Sequence, residues 1–191
     1  MFVKICGITN REDALAAVDA GARALGFIFC EKSPRAVTAA QIETFVNEIP
    51  KDIWKVGVFV NESPAKIEEI GARIGLDVAQ LHGAEKPDQH PRGLRVWKAF
   101  RVMDKRIPDP DYPAEAILLD GPASGNTFDW SIGANFPGKL IVAGGLDENN
   151  VREAVARANP WGVDVSSGIE TAPGKKDLVR MKQFIEAALG S

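Results

Sequence analysis

Two cysteines and two histidines are all that the sequence offers to a disulfide framework or a transition metal. Cys6 and Cys30 have no metal-ligand spacing and are expected as free thiols. His82 and His90 are too few for a histidine-rich centre, so no metal is expected. No basic stripe or aromatic-basic cluster appears, which excludes a nucleic-acid surface. Residues 1–10 lack the apolar core of a signal peptide, and no apolar run is long enough for a bilayer. No membrane partner is therefore expected, and a cytoplasmic location is the default. Low-complexity segments and blocks of like charge are also missing, so one domain over residues 1–191 is expected. What is present is an ordinary globular composition: 191 residues, 45% hydrophobic and 26% charged, with a net charge of −3. That suffices for one full-sized core.

The chain is organised around Val3-Lys4-Ile5-Cys6-Gly7-Ile8-Thr9-Asn10. Val3 to Ile5 read as a short buried strand, with Cys6 where it stops. Gly7 permits a turn that a side chain would obstruct. Thr9 and Glu12 are spaced as a capping box, and Asn10 with Asp13 offers an N-cap one residue later. A helix through Ala14, Leu15, Ala17 and Val18 follows. A thiol between a strand end and a helix N-terminus feels a partial positive charge that favours the thiolate. Cys6 is thus a candidate base or nucleophile; the alternative is a small buried hydrophobe.

Strand and helix signals alternate from there on. Apolar runs over 24–29, 53–60, 78–81, 94–100, 116–119, 139–143 and 162–165 read as seven further strands, most of them buried on both faces. Thr38 with Gln41, Ser63-Pro64, Asp147 and Asp177 read as helix starts, and Gly75 as a helix stop. Pro87, Pro91 and Gly93 leave room for a short fourth helix at most. Pro108, Pro110 and Pro113 do not allow a normal fifth. Eight strands with crossovers close most simply into an α/β fold, the eight-stranded parallel (β/α)8 TIM barrel with an apolar interior. Its fourth helix is shortened and its fifth missing or vestigial. A weak internal repeat agrees: the unit from Cys6-Gly7 to Gly26 matches that from Ala143-Gly144 to Gly162 in length, within one residue. An open doubly wound sheet would need fewer strands.

In such barrels the active site forms at the C-terminal strand ends. Here those ends carry Cys6, the loop from Cys30 to Arg35, His82, Asp120, Gly144-Gly145 and Ser166-Ser167-Gly168. Gly144, Gly145, Ser166, Ser167 and Gly168 follow strands seven and eight, where these barrels usually hold a phosphate. The alternative is a pair of tight turns using glycine for positive φ. Asp120 ends an apolar strand; desolvation would raise its pKa and suit a general acid. Turn capping is its other common use. Arg35 could grip a carboxylate with its fork of donors, or be a solvated loop charge. His82 and Gln80, two residues apart on one strand face, are candidate substrate contacts. Asp164 shares the face of Ser166, as a supporting carboxylate or a structural hydrogen-bond partner.

Taken together, the sequence resembles the phosphoribosylanthranilate isomerase family of tryptophan biosynthesis. The resemblance rests on Lys4-Ile5-Cys6-Gly7-Ile8-Thr9, on Gly26-Phe27-Ile28-Phe29 with Lys32-Ser33-Pro34-Arg35, and on Val78-Ala79-Gln80-Leu81-His82-Gly83. It continues through Leu118-Leu119-Asp120, Thr127-Phe128-Asp129-Trp130, Ala143-Gly144-Gly145-Leu146, the run from Val163 to Glu170 and Pro173-Gly174-Lys175-Lys176-Asp177. It runs end to end and keeps the order. It implies an eight-stranded barrel without a cofactor that performs an Amadori rearrangement of N-(5-phosphoribosyl)anthranilate. It implies that Asp120 protonates the ring oxygen, Cys6 removes the proton at C2, and Arg35 binds the anthranilate carboxylate. The turns after strands seven and eight would hold the phosphate of this small-molecule substrate. The protein is expected as a monomer or homodimer. One departure is Ala123-Ser124-Gly125-Asn126, where the family usually has Gly-Gly-Thr-Gly; a stiffer loop is expected. Competing readings are a phosphosugar epimerase, which would want a histidine-rich metal site, and an inactive phosphate-ligand-binding barrel.

Overall fold

The computed structural model describes residues 1–103, 111–123 and 125–190; Pro108, Pro110 and Ser124 lie outside the described residues. Eight strands form the centre: β1 (Phe2–Cys6), β2 (Ala24–Ile28), β3 (Trp54–Phe59), β4 (Val78–Leu81), β5 (Arg95–Arg101), β6 (Ala116–Asp120), β7 (Leu140–Val142) and β8 (Gly162–Val165). Each pairs in parallel with the next, and β8 pairs back onto β1, which closes the barrel. Closure leaves none of the eight barrel strands at a sheet edge.

Period-two alternation decides which side chains enter the barrel. On β1, Val3 and Ile5 face the surrounding helices, in one core cluster with Phe27, Ile67, Leu119 and Phe184. The barrel interior holds Val56, Val78, Trp97, Leu118 and Ile141. Its N-terminal end is plugged by aromatics: Phe2 stacks on Trp161 at 4.3 Å and meets Trp54 and Trp97 edge-on. Toward the C-terminal end the interior is not apolar as expected. Lys4, Gln80 and Asp164 are buried there. Two of these charges are tolerated because they pair with each other, Lys4 Nζ lying 2.9 Å from Asp164 Oδ1.

Helix α1 (Arg11–Asp19) is capped by Asn10, whose side chain accepts from the Asp13 N–H at 2.9 Å. Thr9 is released from capping and donates to the Gly174 carbonyl. Helix α2 (Ala39–Glu43) carries the expected Thr38–Gln41 capping box but ends early. Thr44 Oγ1 bonds back to the Gln41 carbonyl at 2.7 Å, competing with helix propagation, and a 3-10 turn (Val46–Glu48) follows. Helix α3 (Pro64–Ile74) starts at Ser63-Pro64 and stops at Gly75, as expected. Helix α4 (Val151–Ala158) corrects the expected cap: Asn150 occupies the N-cap. Asp147 instead closes the preceding turn, accepting from the N–H groups of Asn149 and Asn150. Helix α5 (Leu178–Leu189) is capped by Asp177. The fourth crossover holds a 3-10 turn (Pro87–Gln89), and the described residues between β5 and β6 hold no helix. A hairpin not anticipated from sequence, β9 (Glu170–Ala172) with β10 (Lys175–Lys176), follows β8. Among the described residues no helix is long and apolar enough to cross a membrane.

Candidate active site

The C-terminal strand ends surround a cleft of about 410 Å³, lined by Cys6, Arg35, Gln80, His82, Asp120, Gly144, Gly145, Ser166, Ser167 and Gly168. Every residue singled out from the sequence therefore opens onto one site. That volume lies within the range of small-molecule pockets. On the β2–β3 side the wall is apolar, with Ile28, Val58 and Val60; on the β7–β8 side it is glycine and serine.

Cys6 is 6% exposed, and Lys4 lies on the same inward face of β1. A side chain at Gly26 would meet both, 2.8 Å from Cys6 Sγ and 3.1 Å from Lys4 Cε, so that glycine makes the room they share. The expected lowering of the thiol pKa does not hold. Helix α1 begins only at Arg11, beyond the Gly7–Thr9 turn, and burial pushes the Cys6 thiol up. Lys4, and more weakly Lys176, pull it back. Burial opposes the Lys4 ammonium most, but Asp164 and Cys6 together outweigh it and raise Lys4 above the ordinary lysine value. Burial raises Asp164, with Lys4 partly opposing.

Asp120 stands at the rim of the cleft, at the end of β6. Its side chain is 25% exposed, and His82 Nε2 lies 3.2 Å from Oδ2, without alignment for a hydrogen bond. Gln80 Oε1 and Ser166 Oγ are buried oxygens with no hydrogen-bond partner among the described residues. Buried polar atoms are normally paired, so both stand out as contacts for a bound polar group.

Arg35 is not free. Its Nε and Nη2 grip Glu170 at 2.7–3.0 Å, while Nη1 makes no hydrogen bond among the described residues. Lys176, with a fully buried side chain, reaches Glu170 Oε1 at 2.8 Å, the Cys6 carbonyl at 2.6 Å and the Ser166 carbonyl at 3.2 Å. Gly7, at φ +74°, passes under these groups; a Cβ there would lie 2.7 Å from Arg35 Cδ and 2.8 Å from Ser166 Oγ. Gly144 and Gly145 both have positive φ, and a Cβ on Gly145 would lie 2.7–2.8 Å from the backbone of Asn126 and Thr127. Turn geometry and close packing thus already require these glycines, whatever the cleft binds.

A family model described as N-(5'-phosphoribosyl)anthranilate (PRA) isomerase matches residues 3–187. The chain belongs to the phosphoribosylanthranilate isomerase family. A curated relative of that name from Solibacter usitatus is 52% identical, covering 98% of this chain and 97% of its own. A solved phosphoribosylanthranilate isomerase from Thermotoga maritima superposes with a TM-score of 0.93 at 41% identity, covering all of both chains. Another solved isomerase, in complex with reduced 1-(o-carboxyphenylamino)-1-deoxyribulose 5-phosphate, is 40% identical with a TM-score of 0.92 and full coverage of both chains. Within this isomerase fold, Lys4 and Lys176 were missed from sequence. Lys4 was legible in principle, since it lies two residues before Cys6 on the same strand face. Lys176 carries no local signal; the hairpin after β8 brings it to Cys6 from 170 residues away.

Proposed function

We propose that this protein catalyses the Amadori rearrangement of N-(5-phosphoribosyl)anthranilate to 1-(2-carboxyphenylamino)-1-deoxyribulose 5-phosphate, a step of tryptophan biosynthesis. The observation that carries the reading is one cleft shared by an acid, a base and an arginine on the barrel of this isomerase family. Asp120, in its carboxylic acid form, gives its proton to the furanose ring oxygen. The anthranilate nitrogen lone pair then forms C1=N as the C1–O bond breaks, leaving a protonated Schiff base. Cys6, as the thiolate, takes the proton from C2, and the electrons move to give the enol-amine. Protonation at C1 and loss of the enol proton give the ketone. Only protons move within one substrate, so the chemistry calls for no cofactor.

The polarity of the walls supports one orientation. The anthranilate ring lies against Ile28, Val58 and Val60, with its carboxylate toward Arg35. The phosphate lies over the turns at Gly144-Gly145 and Ser166-Ser167-Gly168, where the unpaired Ser166 hydroxyl is available as a donor. Gln80 and His82, between these ends, contact the ribose hydroxyls. The test is turnover of phosphoribosylanthranilate followed by loss of its fluorescence, in the presence of a chelator. Cys6→Ala and Asp120→Asn each lower kcat by about 10²–10⁴-fold, the usual contribution of one general acid or base. No turnover by the wild-type protein, or near-wild-type kcat in Cys6→Ala, overturns the reading.

A further inference from the structure

Arg35 presents a problem of charge. A guanidinium already gripped by a carboxylate at 2.7–3.0 Å has little left with which to attract a second one. The Glu170 side chain is 4% exposed, so water does not screen that pairing. Lys176 resolves this. Its ammonium lies 2.8 Å from Oε1 of the same Glu170 and is itself fully buried. Arg35, Glu170 and Lys176 together are two cations and one anion, which leaves one surplus positive charge on the cleft side.

We propose that Lys176 is a positioning residue for carboxylate recognition: it neutralises Glu170, so that Glu170 holds the Arg35 guanidinium rigid without cancelling its charge. The proposal rests on the reading of Arg35 as the anthranilate carboxylate contact. Burial works against an ionised Glu170, but the hydrogen bonds from Arg35 and Lys176 prevail and hold it below the usual carboxylate range. The same ammonium donates to the carbonyls of Cys6 and Ser166, at the ends of β1 and β8. One buried charge thereby joins the base, the phosphate turn and the carboxylate contact. The β10 strand bearing Lys176 is anchored in turn: its N–H donates to Asp13 Oδ2 at 2.9 Å, on α1. Arg35 Nη1, which makes no bond to Glu170, is left for the ligand.

The test compares two ligands: reduced 1-(o-carboxyphenylamino)-1-deoxyribulose 5-phosphate and its phenylamino counterpart without the carboxylate. Their Kd ratio, measured by calorimetry, is the carboxylate preference. Arg35→Ala removes that preference if the arginine is the contact; if the preference survives, the assignment of Arg35 in the proposed function fails. Given that control, Lys176→Met reduces the preference by at least about tenfold, the scale of one hydrogen bond to a charged group. The double variant Glu170→Gln/Lys176→Met, which removes both balancing charges, restores it. An unchanged preference in Lys176→Met overturns the proposal while leaving Arg35 as the contact. A loss that persists in the double variant does the same, because it marks Lys176 as merely structural. Lys176→Gln, which keeps a donor for the two carbonyls, makes the same comparison if the methionine variant does not fold.

Discussion

Replacing Lys4 by Met removes one partner of a buried ion pair inside the barrel. The Lys4 side chain is fully buried and that of Asp164 is 9% exposed, at 2.9 Å. Breaking a buried pair in this way costs about 3–5 kcal/mol, because the remaining charge has no partner and little water. Against a typical total of about 5–15 kcal/mol, that is a large share. For a chain of this size it corresponds to a fall in Tm of roughly 6–20 °C. The effect depends on pH with a definite sign. Burial already raises Asp164 in the folded protein, and Lys4 opposes that rise. Without Lys4 the carboxyl rises further, so the native state binds a proton that the unfolded chain releases near pH 3.9 or so, about the ordinary Asp value. Stability of the variant therefore falls as pH increases from there through the folded-state pKa. Urea unfolding at pH 5 and pH 8 reads this directly: the loss relative to wild type is larger at pH 8. Lys4→Met/Asp164→Leu, which fills the site with apolar groups, recovers most of the loss. A loss below about 1 kcal/mol at pH 7, the range of an exposed pair, would refute the reasoning. So would an equal loss at both pH values.

The Cys6 thiol supplies a second test. Since burial raises its pKa, alkylation by iodoacetamide and the rise of kcat/KM on the acidic side both move above the ordinary thiol value of about 8.5. In Lys4→Met both move higher still, and a reactive thiolate at pH 6 would contradict the burial argument. Gln80→Leu separates stability from activity: removing an unpaired buried acceptor leaves Tm equal to or above wild type, whereas kcat/KM falls. A Tm loss of several degrees with unchanged kcat/KM would show that Gln80 serves the core and not the ligand.

The barrel was legible because parallel strands buried on both faces leave near-continuous apolar runs, and because proline and glycine mark where crossovers start, stop or fail. β4 and β8 fall on the residues the runs indicated. The cleft followed from topology alone, since parallel closure sends every strand end to one rim. Local signals were weaker guides to detail. Asp147 had the spacing of a cap but closes the turn before one, and α2 ends where Thr44 takes back a carbonyl. Electrostatic environment was the least legible. Cys6 lies at a strand end before a helix, as the sequence said, yet burial outweighs the dipole because the turn at Gly7–Thr9 keeps the helix away. Asp120 ends an apolar strand but emerges at the rim beside His82. The sequence by itself determined the strand count, the closure and the set of groups around the rim, because these depend on patterns within a few residues. Only the tertiary structure decided which of those groups are paired, through Lys4 with Asp164 and Arg35 with Glu170 and Lys176. Lys4 with Asp164 and Arg35 with Glu170 join residues 160 and 135 positions apart, and a buried charge takes its energy from whatever the fold brings within a few ångströms of it.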